Sequence, residues 1–353
     1  MDLRLQDYGF VPFFVGQTSP EEIAQGRVGR VIAVQRSSVT VTNGVEEQPL
    51  PLTASWHCAA VEDRPTVGDW VVLDTRCSRL ERVLRRKSVF RRVAAGEKAE
   101  IQLIAANVDV LFVVTSCNEE FKESRLERYL ALAIEAGVIP VVVLTKVDLS
   151  PDPDAYVMRA RSVQASVAVE QVNALDGRTF GGLMSWVEPG STVALVGSSG
   201  VGKSTILNAL AGNQVAATAD VRDDDKKGRH TTTHRALHRL PGGGLLIDVP
   251  GMRELKIAHV DSALAAVFDD IEAAASHCRF VDCRHESEPG CAVLDAVEKG
   301  QIPARRLGNY LKLLRESERH DASLADRRSQ GRAFARLVKQ GKALKKQGRT
   351  TRD

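Results

Sequence analysis

The sequence predicts a multidomain chain with three units in succession: a small β-barrel, an α/β unit built on a phosphate loop, and a mostly helical unit that holds a metal. Three observations carry this. Short alternating segments separated by turn residues fill 26–86, with no long helix among them. Further on, apolar strands alternate with amphipathic helices. Finally, three cysteines and a histidine fall between Cys278 and Cys291. The implied boundaries are 1–92, 93–258 and 259–353.

A chain of 353 residues, 43% hydrophobic and 26% charged, has the composition of a soluble globular protein with room for a real core. The start, Met1 to Asp7, mixes charges too early for a secretory signal. The longest apolar stretch, Tyr129 to Leu144, is broken by Glu135, Gly137 and Pro140, so no membrane span is expected. Six cysteines, three of them scattered, make no disulfide framework and suit a reducing cytoplasm. We therefore expect a cytoplasmic monomer with no membrane partner.

In the first unit, Arg27–Val34, Ser38–Thr42, Gly68–Asp74 and Arg79–Leu84 read as strands, the second ending at the hairpin signal Asn43-Gly44. They suggest a barrel of the oligonucleotide-binding type. Arg82, Arg85, Arg86, Lys87, Arg91 and Arg92 cluster at its exit, either as a solvated surface or as a groove for RNA backbone. A linker is expected near Val93 to Lys98. Val108–Val114 and Pro140–Leu144 then read as buried parallel strands around a helix, Arg125–Ala136. Ser166–Val172 and Leu245–Ile247 add two more strands. Helices are expected over 261–276 and 303–320. The end, Arg327 to Asp353, has ten Lys or Arg against one acid and reads as a solvated arm able to meet RNA phosphates.

The chemistry centres on Gly197-Ser198-Ser199-Gly200-Val201-Gly202-Lys203-Ser204, which follows the apolar run Thr192–Val196 and opens through Thr205 onto a helical spacing. Strand, glycine turn and helix in that order form a phosphate loop. Backbone N–H groups surround a polyphosphate, Lys203 bridges the β- and γ-phosphates, and Ser204 offers its hydroxyl to Mg²⁺. At the end of an earlier strand stands Thr145-Lys146-Val147-Asp148, close to the Asn-Lys-x-Asp motif of GTPases. A carboxylate at Asp148 accepts from both guanine N1–H and the 2-amino group, donors that adenine lacks there. Thr145 in place of Asn predicts one lost hydrogen bond. Asn173-Ala174 occupies the position where GTPases often carry Ser-Ala, leaving that backbone contact to guanine in doubt.

Asp220 to Arg235, with Gly228-Arg229-His230-Thr231-Thr232-Thr233, reads as a loop that a γ-phosphate and Mg²⁺ order; any of the three threonines is a candidate ligand. Asp248-Val249-Pro250-Gly251 matches the D-x-x-G pattern, with Asp248 on Mg²⁺ through water and Gly251 N–H on the γ-phosphate. Met252 follows, where many GTPases carry the Gln that orients water, so unassisted hydrolysis should be slow. His230 is the predicted substitute. Cys278-x₄-Cys283-x-His285-x₅-Cys291 supplies four ligands for one structural Zn²⁺, with no open position for catalysis.

The guanine-type motif precedes the phosphate loop, the reverse of the ordinary order, which is a circular permutation of the same sheet. In this order of motifs, with Ala106-Asn107-Val108-Asp109 and Glu288-Pro289-Gly290-Cys291-Ala292-Val293 added, the chain resembles the circularly permuted small-ribosomal-subunit biogenesis GTPases of the RsgA family. The resemblance covers nearly the whole chain. It implies an oligonucleotide-binding barrel, a permuted GTPase domain and a zinc domain. It also implies action late in maturation of the 30S subunit, contact with 16S rRNA, and turnover of GTP to GDP stimulated by that particle. Two other readings compete. An ATPase is opposed by Asp148 and by Pro250-Gly251 in place of a catalytic Glu. An RNA-binding assembly factor with nucleotide as a structural ligand would show no 30S-stimulated phosphate release.

Overall fold

The computed structural model describes residues 3–93, 101–212, 235–248 and 261–319. The first unit is built on β1 (Val28–Val34), flanked by β2 (Ser38–Thr42) and β3 (Glu47–Pro51) on one side and by β4 (Trp70–Leu73) and β5 (Leu80–Val83) on the other. All four pairings are antiparallel, in the order β3-β2-β1-β4-β5. Successive residues of β4 face opposite ways. Val71 and Leu73 pack with Val31, Val39, Val41 and Leu50, while Trp70 and Val72 pack with Leu5, Phe10 and Phe14 of the N-terminal helical turns. The sheet is thus covered on both faces, which explains an uninterrupted apolar Trp-Val-Val-Leu.

The second unit has β8 (Val110–Ser116), β9 (Ile139–Thr145), β10 (Ala168–Gln171), β11 (Thr192–Val196) and β13 (Leu245–Asp248) in parallel, ordered β10-β9-β8-β11-β13. Helix Lys203–Ala211 closes one face, with Ile206, Leu207 and Leu210 against Val110, Phe112 and Val114. Helix Glu123–Glu135 closes the other, with Leu126 and Leu130 against Leu111 and Val113. The third unit is helical: Asp261–Val267, Asp269–Ala275, Ala292–Glu298 and 304–319. It adds Leu264, Val267, Phe268, Ile271, Leu307 and Leu313 to that second core, so it shares an interior with the α/β unit.

Several expectations need correction. The helix expected over 261–276 is two helices, broken at Phe268, whose φ/ψ of −111/44 is not helical. The stretch read as a linker lies between β6 (Val89–Val93) and β7 (Ile101–Ala106), which pair antiparallel as a hairpin; 94–100 itself is outside the described residues. Arg235, expected in a loop, begins β12 (Arg235–Arg239). That strand joins β13 to β1, pairing Ala33 with Ala236 and Val34 with Arg235. One 11-stranded sheet therefore runs through both units. Helices Pro153–Val163 and Ala292–Glu298 were unexpected. Among the described residues, no helix is long and apolar enough to cross a membrane.

Candidate functional site

The chain builds β8, β9 and β10 outward in one direction, then places β11 on the opposite side of β8. Strand order reverses between β8 and β11, and the crevice beyond the carboxyl ends at such a point is where open α/β sheets take ligands. The phosphate loop leaves β11 at this point. Gly197 has φ 148°, and a Cβ there would stand 2.1 Å from the Val114 carbonyl oxygen, so no side chain fits. Gly202, at φ 93°, forms the N-cap of helix Lys203–Ala211 without any side-chain cap. The first-turn N–H groups are thus left for an anion, with the positive end of the helix behind them. Lys203 Nζ donates to the Ser198 carbonyl. Ser204 and Thr205 lie half-buried in the first helical turn.

Thr145 ends β9 and is fully buried. Its hydroxyl is 2.7 Å from the Val201 carbonyl of the phosphate loop and 3.2 Å from that of Thr115. The hydrogen bond expected to be lost on replacing Asn by Thr is therefore replaced by one that ties the two motifs together. Lys146 adopts a left-handed φ of 57° and starts the turn Val147–Leu149, which presents Asp148 exposed at the rim. Asp148 and the phosphate loop stand on β9 and β11, two strand spacings apart across β8, or roughly 10 Å. Next to them, the Asn173 side chain accepts from Leu175 N–H at 3.0 Å and its backbone N–H reaches Thr179 Oγ1 at 3.1 Å, fixing the turn after β10. The backbone of Asp248 ends β13. Its side chain, Val249 to Met252, His230 and Thr231 to Thr233 lie outside the described residues, as does the tail from 320.

The residues expected to bind metal do converge. Ligand atoms of Cys278, Cys283, His285 and Cys291 lie within 4.8 Å of one another. His285 Nδ1 is 3.3 Å from Cys291 Sγ and 3.6 Å from Cys278 Sγ. Burial lowers the His285 pKa, favouring the neutral imidazole that coordinates. Burial opposes a thiolate at Cys278, but the N–H groups of Val293 and Ala292 outweigh it and lower the thiol. Cys283 is pushed up to about 11 by burial and by the neighbouring sulfurs. Crowded thiols that resist joint ionisation are what a bound cation relieves, so the donor set fits a metal ion. Glu288 braces the loop, its carboxylate accepting N–H bonds from Arg284, Glu286 and Ser287 at 2.9–3.0 Å.

The basic cluster near the first unit is largely engaged within the chain. Arg82 pairs with Glu22 at 2.7 Å, Arg86 with buried Asp69 at 2.7 Å, Lys87 with Asp109 at 2.8 Å, and Arg92 bonds Gln102 at 2.8 Å. Sequence reasoning also missed three residues whose partners are remote. Arg30, 1% exposed, donates to the carbonyls of Tyr8, Gly68 and Asn107 and to Thr192 Oγ1 at the head of β11. Glu127, fully buried on helix Glu123–Glu135, accepts from Arg305, Arg306 and Asn309. Arg125 donates to Ser198 Oγ in the phosphate loop.

Fold and site together define a phosphate-loop nucleotide-binding protein whose guanine-type turn precedes its loop, a circularly permuted arrangement. Comparison with known proteins gives the family. The family model described as RsgA GTPase matches residues 83–258. The chain is 46% identical over 335 residues to small ribosomal subunit biogenesis GTPase RsgA 2 of Vibrio parahaemolyticus, covering 95% of this chain and 92% of that protein. It is 47% identical over 296 residues to RsgA of Xylella fastidiosa, covering 82% and 85%. The solved YjeQ structure from Thermotoga maritima matches with TM-score 0.60 and 26% identity over 82% of this chain and 98% of that one. YloQ, solved as a circularly permuted GTPase, shares the fold with TM-score 0.56 and 22% identity over 83% and 95%. This chain belongs to the RsgA GTPase family and is a GTP hydrolase.

Proposed function

We propose that this GTPase is a late maturation factor of the small ribosomal subunit, working as a cytoplasmic monomer that contacts 16S rRNA and is stimulated by the 30S particle. The names carried by its relatives motivate the assignment. The observation that carries the GTP chemistry is the Thr145 hydroxyl on the Val201 carbonyl, which locks the base-reading turn to the phosphate loop across β8. Asp148 reads guanine while the Lys146 stem covers the base. Gly197, Ser198, Ser199, Gly200, Val201 and Gly202 wrap the phosphates, and Lys203 neutralises them. Ser204 would hold Mg²⁺ by its hydroxyl and Asp248 through water, and the ion would supply charge neutralisation at the phosphates. Thr205 lines the loop and Gly251 senses the γ-phosphate. His230 orients the attacking water, replacing the Gln absent at Met252. Cys278, Cys283, His285 and Cys291 hold one structural Zn²⁺.

The units divide as an oligonucleotide-binding-type barrel over 1–92, the permuted GTPase domain over 93–258, and the zinc domain with its basic arm over 259–353. The strand order β3-β2-β1-β4-β5 supports the first assignment. The test is GTP hydrolysis with and without purified 30S subunits, with ATP as competitor. We expect slow turnover alone, a large stimulation by 30S and no competition by ATP. Equal use of ATP removes the guanine assignment, and absent stimulation removes the ribosomal one. His230→Ala should abolish stimulated turnover and leave GTP affinity unchanged.

A further inference from the structure

Arg125 belongs to none of the motifs, yet it reaches the phosphate loop. It stands in the first turn of helix Glu123–Glu135, after β8, the immediate neighbour of β11. Its Nη1 donates to Ser198 Oγ and lies 3.3 Å from both the carbonyl and a carboxylate oxygen of Glu120. The carbonyl of the same Ser198 accepts from Lys203 Nζ. Ser198 is therefore held through its side chain by one cation and holds a second through its backbone.

We infer that Arg125 is a positioning residue for GTP hydrolysis, fixing Ser198 so that its carbonyl aims Lys203 at the phosphates. The inference rests on the reading of Lys203 as the phosphate-binding lysine. The physical need is plain. Ser198 follows Gly197 in a loop with left-handed glycines at 197, 200 and 202, and glycine restrains backbone least of all residues. Ser199 and Gly200 beyond it are exposed. A restraint has to come from outside the loop, and a charged donor gives roughly twice the strength of a neutral one. The Glu120 carboxylate keeps the guanidinium on this path and offsets its repulsion from Lys203. The same helix grips 304–319 through Glu127 and through Arg128, which meets Glu316 at 2.6 Å.

The test is a double-variant cycle on the full-length protein. Single-turnover GTP hydrolysis and the affinities for GTP and GDP are measured for wild type, Lys203→Ala, Arg125→Ala, Arg125→Lys, Ser198→Ala and Arg125→Ala/Ser198→Ala, each with its melting temperature. Arg125→Ala and Ser198→Ala should each slow hydrolysis about tenfold, and the double variant should be no slower than either. Arg125→Lys should recover part of the rate, and GTP affinity should fall more than GDP affinity. Multiplying effects in the double variant, or a normal rate in Ser198→Ala, overturns the inference. If Arg125→Ala does not fold, Ser198→Ala and Arg125→Lys decide it alone. Hydrolysis that survives Lys203→Ala overturns instead the reading of that lysine.

Discussion

The N-terminal strands and the C-terminal helices both attach to the sheet that carries the phosphate loop, but only the first attachment adds a strand ladder to side-chain packing. On the N-terminal side the join includes a backbone ladder, β1 to β12, reinforced by Arg30 bonding mostly to carbonyls, by the Lys87–Asp109 pair and by Ile32 and Val67 in the shared core. On the C-terminal side it is side-chain chemistry, with a shared apolar core around Leu264, Phe268 and Leu130 and the buried carboxylate of Glu127 between two arginines and an asparagine. A backbone ladder makes the same hydrogen bonds with many side chains, and the burial pattern of its faces sets the register. A buried charge network is selective and fails when one member is lost. The first join extends the sheet, and the second rests on helix Glu123–Glu135, which also carries Arg125 to the phosphate loop.

The largest test is on the metal. Cys291→Ser, or removal of the ion by a chelator, should cost the C-terminal unit on the order of 10 kcal/mol. Metal content and helical melting report this, and strand signals of the N-terminal unit should persist; joint collapse would break the contrast. Next is Glu127→Ala, which removes the buried acceptor shared by Arg305, Arg306 and Asn309, although Arg306, 4% exposed on its side chain, keeps Asp270 at 2.8 Å. About 3–5 kcal/mol should be lost in urea unfolding. Arg30→Met keeps most of the stem volume but removes the donor to the Tyr8, Asn107 and Gly68 carbonyls, of which Gly68 keeps Asn107 Nδ2, and should cost about 2–3 kcal/mol by the same measurement. Burial already lowers the Arg30 pKa to about 10, so it stays charged at neutral pH. A loss larger than that of Glu127→Ala would reverse the ranking of the two joins.

The smallest effect is a pH dependence in the N-terminal unit. A side-chain hydrogen bond from Arg82 outweighs burial and brings Glu22 down from 4.5 to about 2. Its stabilisation is complete above pH 4.5 and is lost as pH falls toward 2. Being near the surface, the pair should be worth about 0.5–1 kcal/mol. The melting gap between wild type and Glu22→Gln should therefore close between pH 5 and 2, and a gap that widens there would contradict the assignment.

What the sequence made legible was local chemistry. Gly197 to Ser204, Thr145 to Asp148 and the set Cys278, Cys283, His285 and Cys291 each stand out within a few residues, because the phosphate, guanine and metal chemistry proposed for them demands fixed residue types at short spacing. The parallel strands β8, β9, β11 and β13 were legible because they are largely buried on both faces, so they read as continuous apolar runs, whereas β10 is only half-buried. What escaped is set by distant partners. Arg125, Arg30 and Glu127 look like ordinary surface charges until Ser198, Thr192 and Arg306 are brought to them. The strand Arg235–Arg239 is too polar to suggest burial, and its role depends on β1. Helix Pro153–Val163 did carry signals, Asp152 as N-cap and Pro153 at its first position, that went unread.

The divided edge of β1 has a bearing on how the chain is made. Its first half is paired by β4 early in translation, while the edge at Ala33 and Val34 must wait for β12, about 200 residues later. At ribosomal speeds of about 5–20 residues per second, that leaves it uncovered for roughly 10–40 s on the nascent polypeptide. An open strand edge invites intermolecular pairing, so the newborn protein has reason to need shelter by a chaperone over the interval in which its own nucleotide-binding half is still being synthesised.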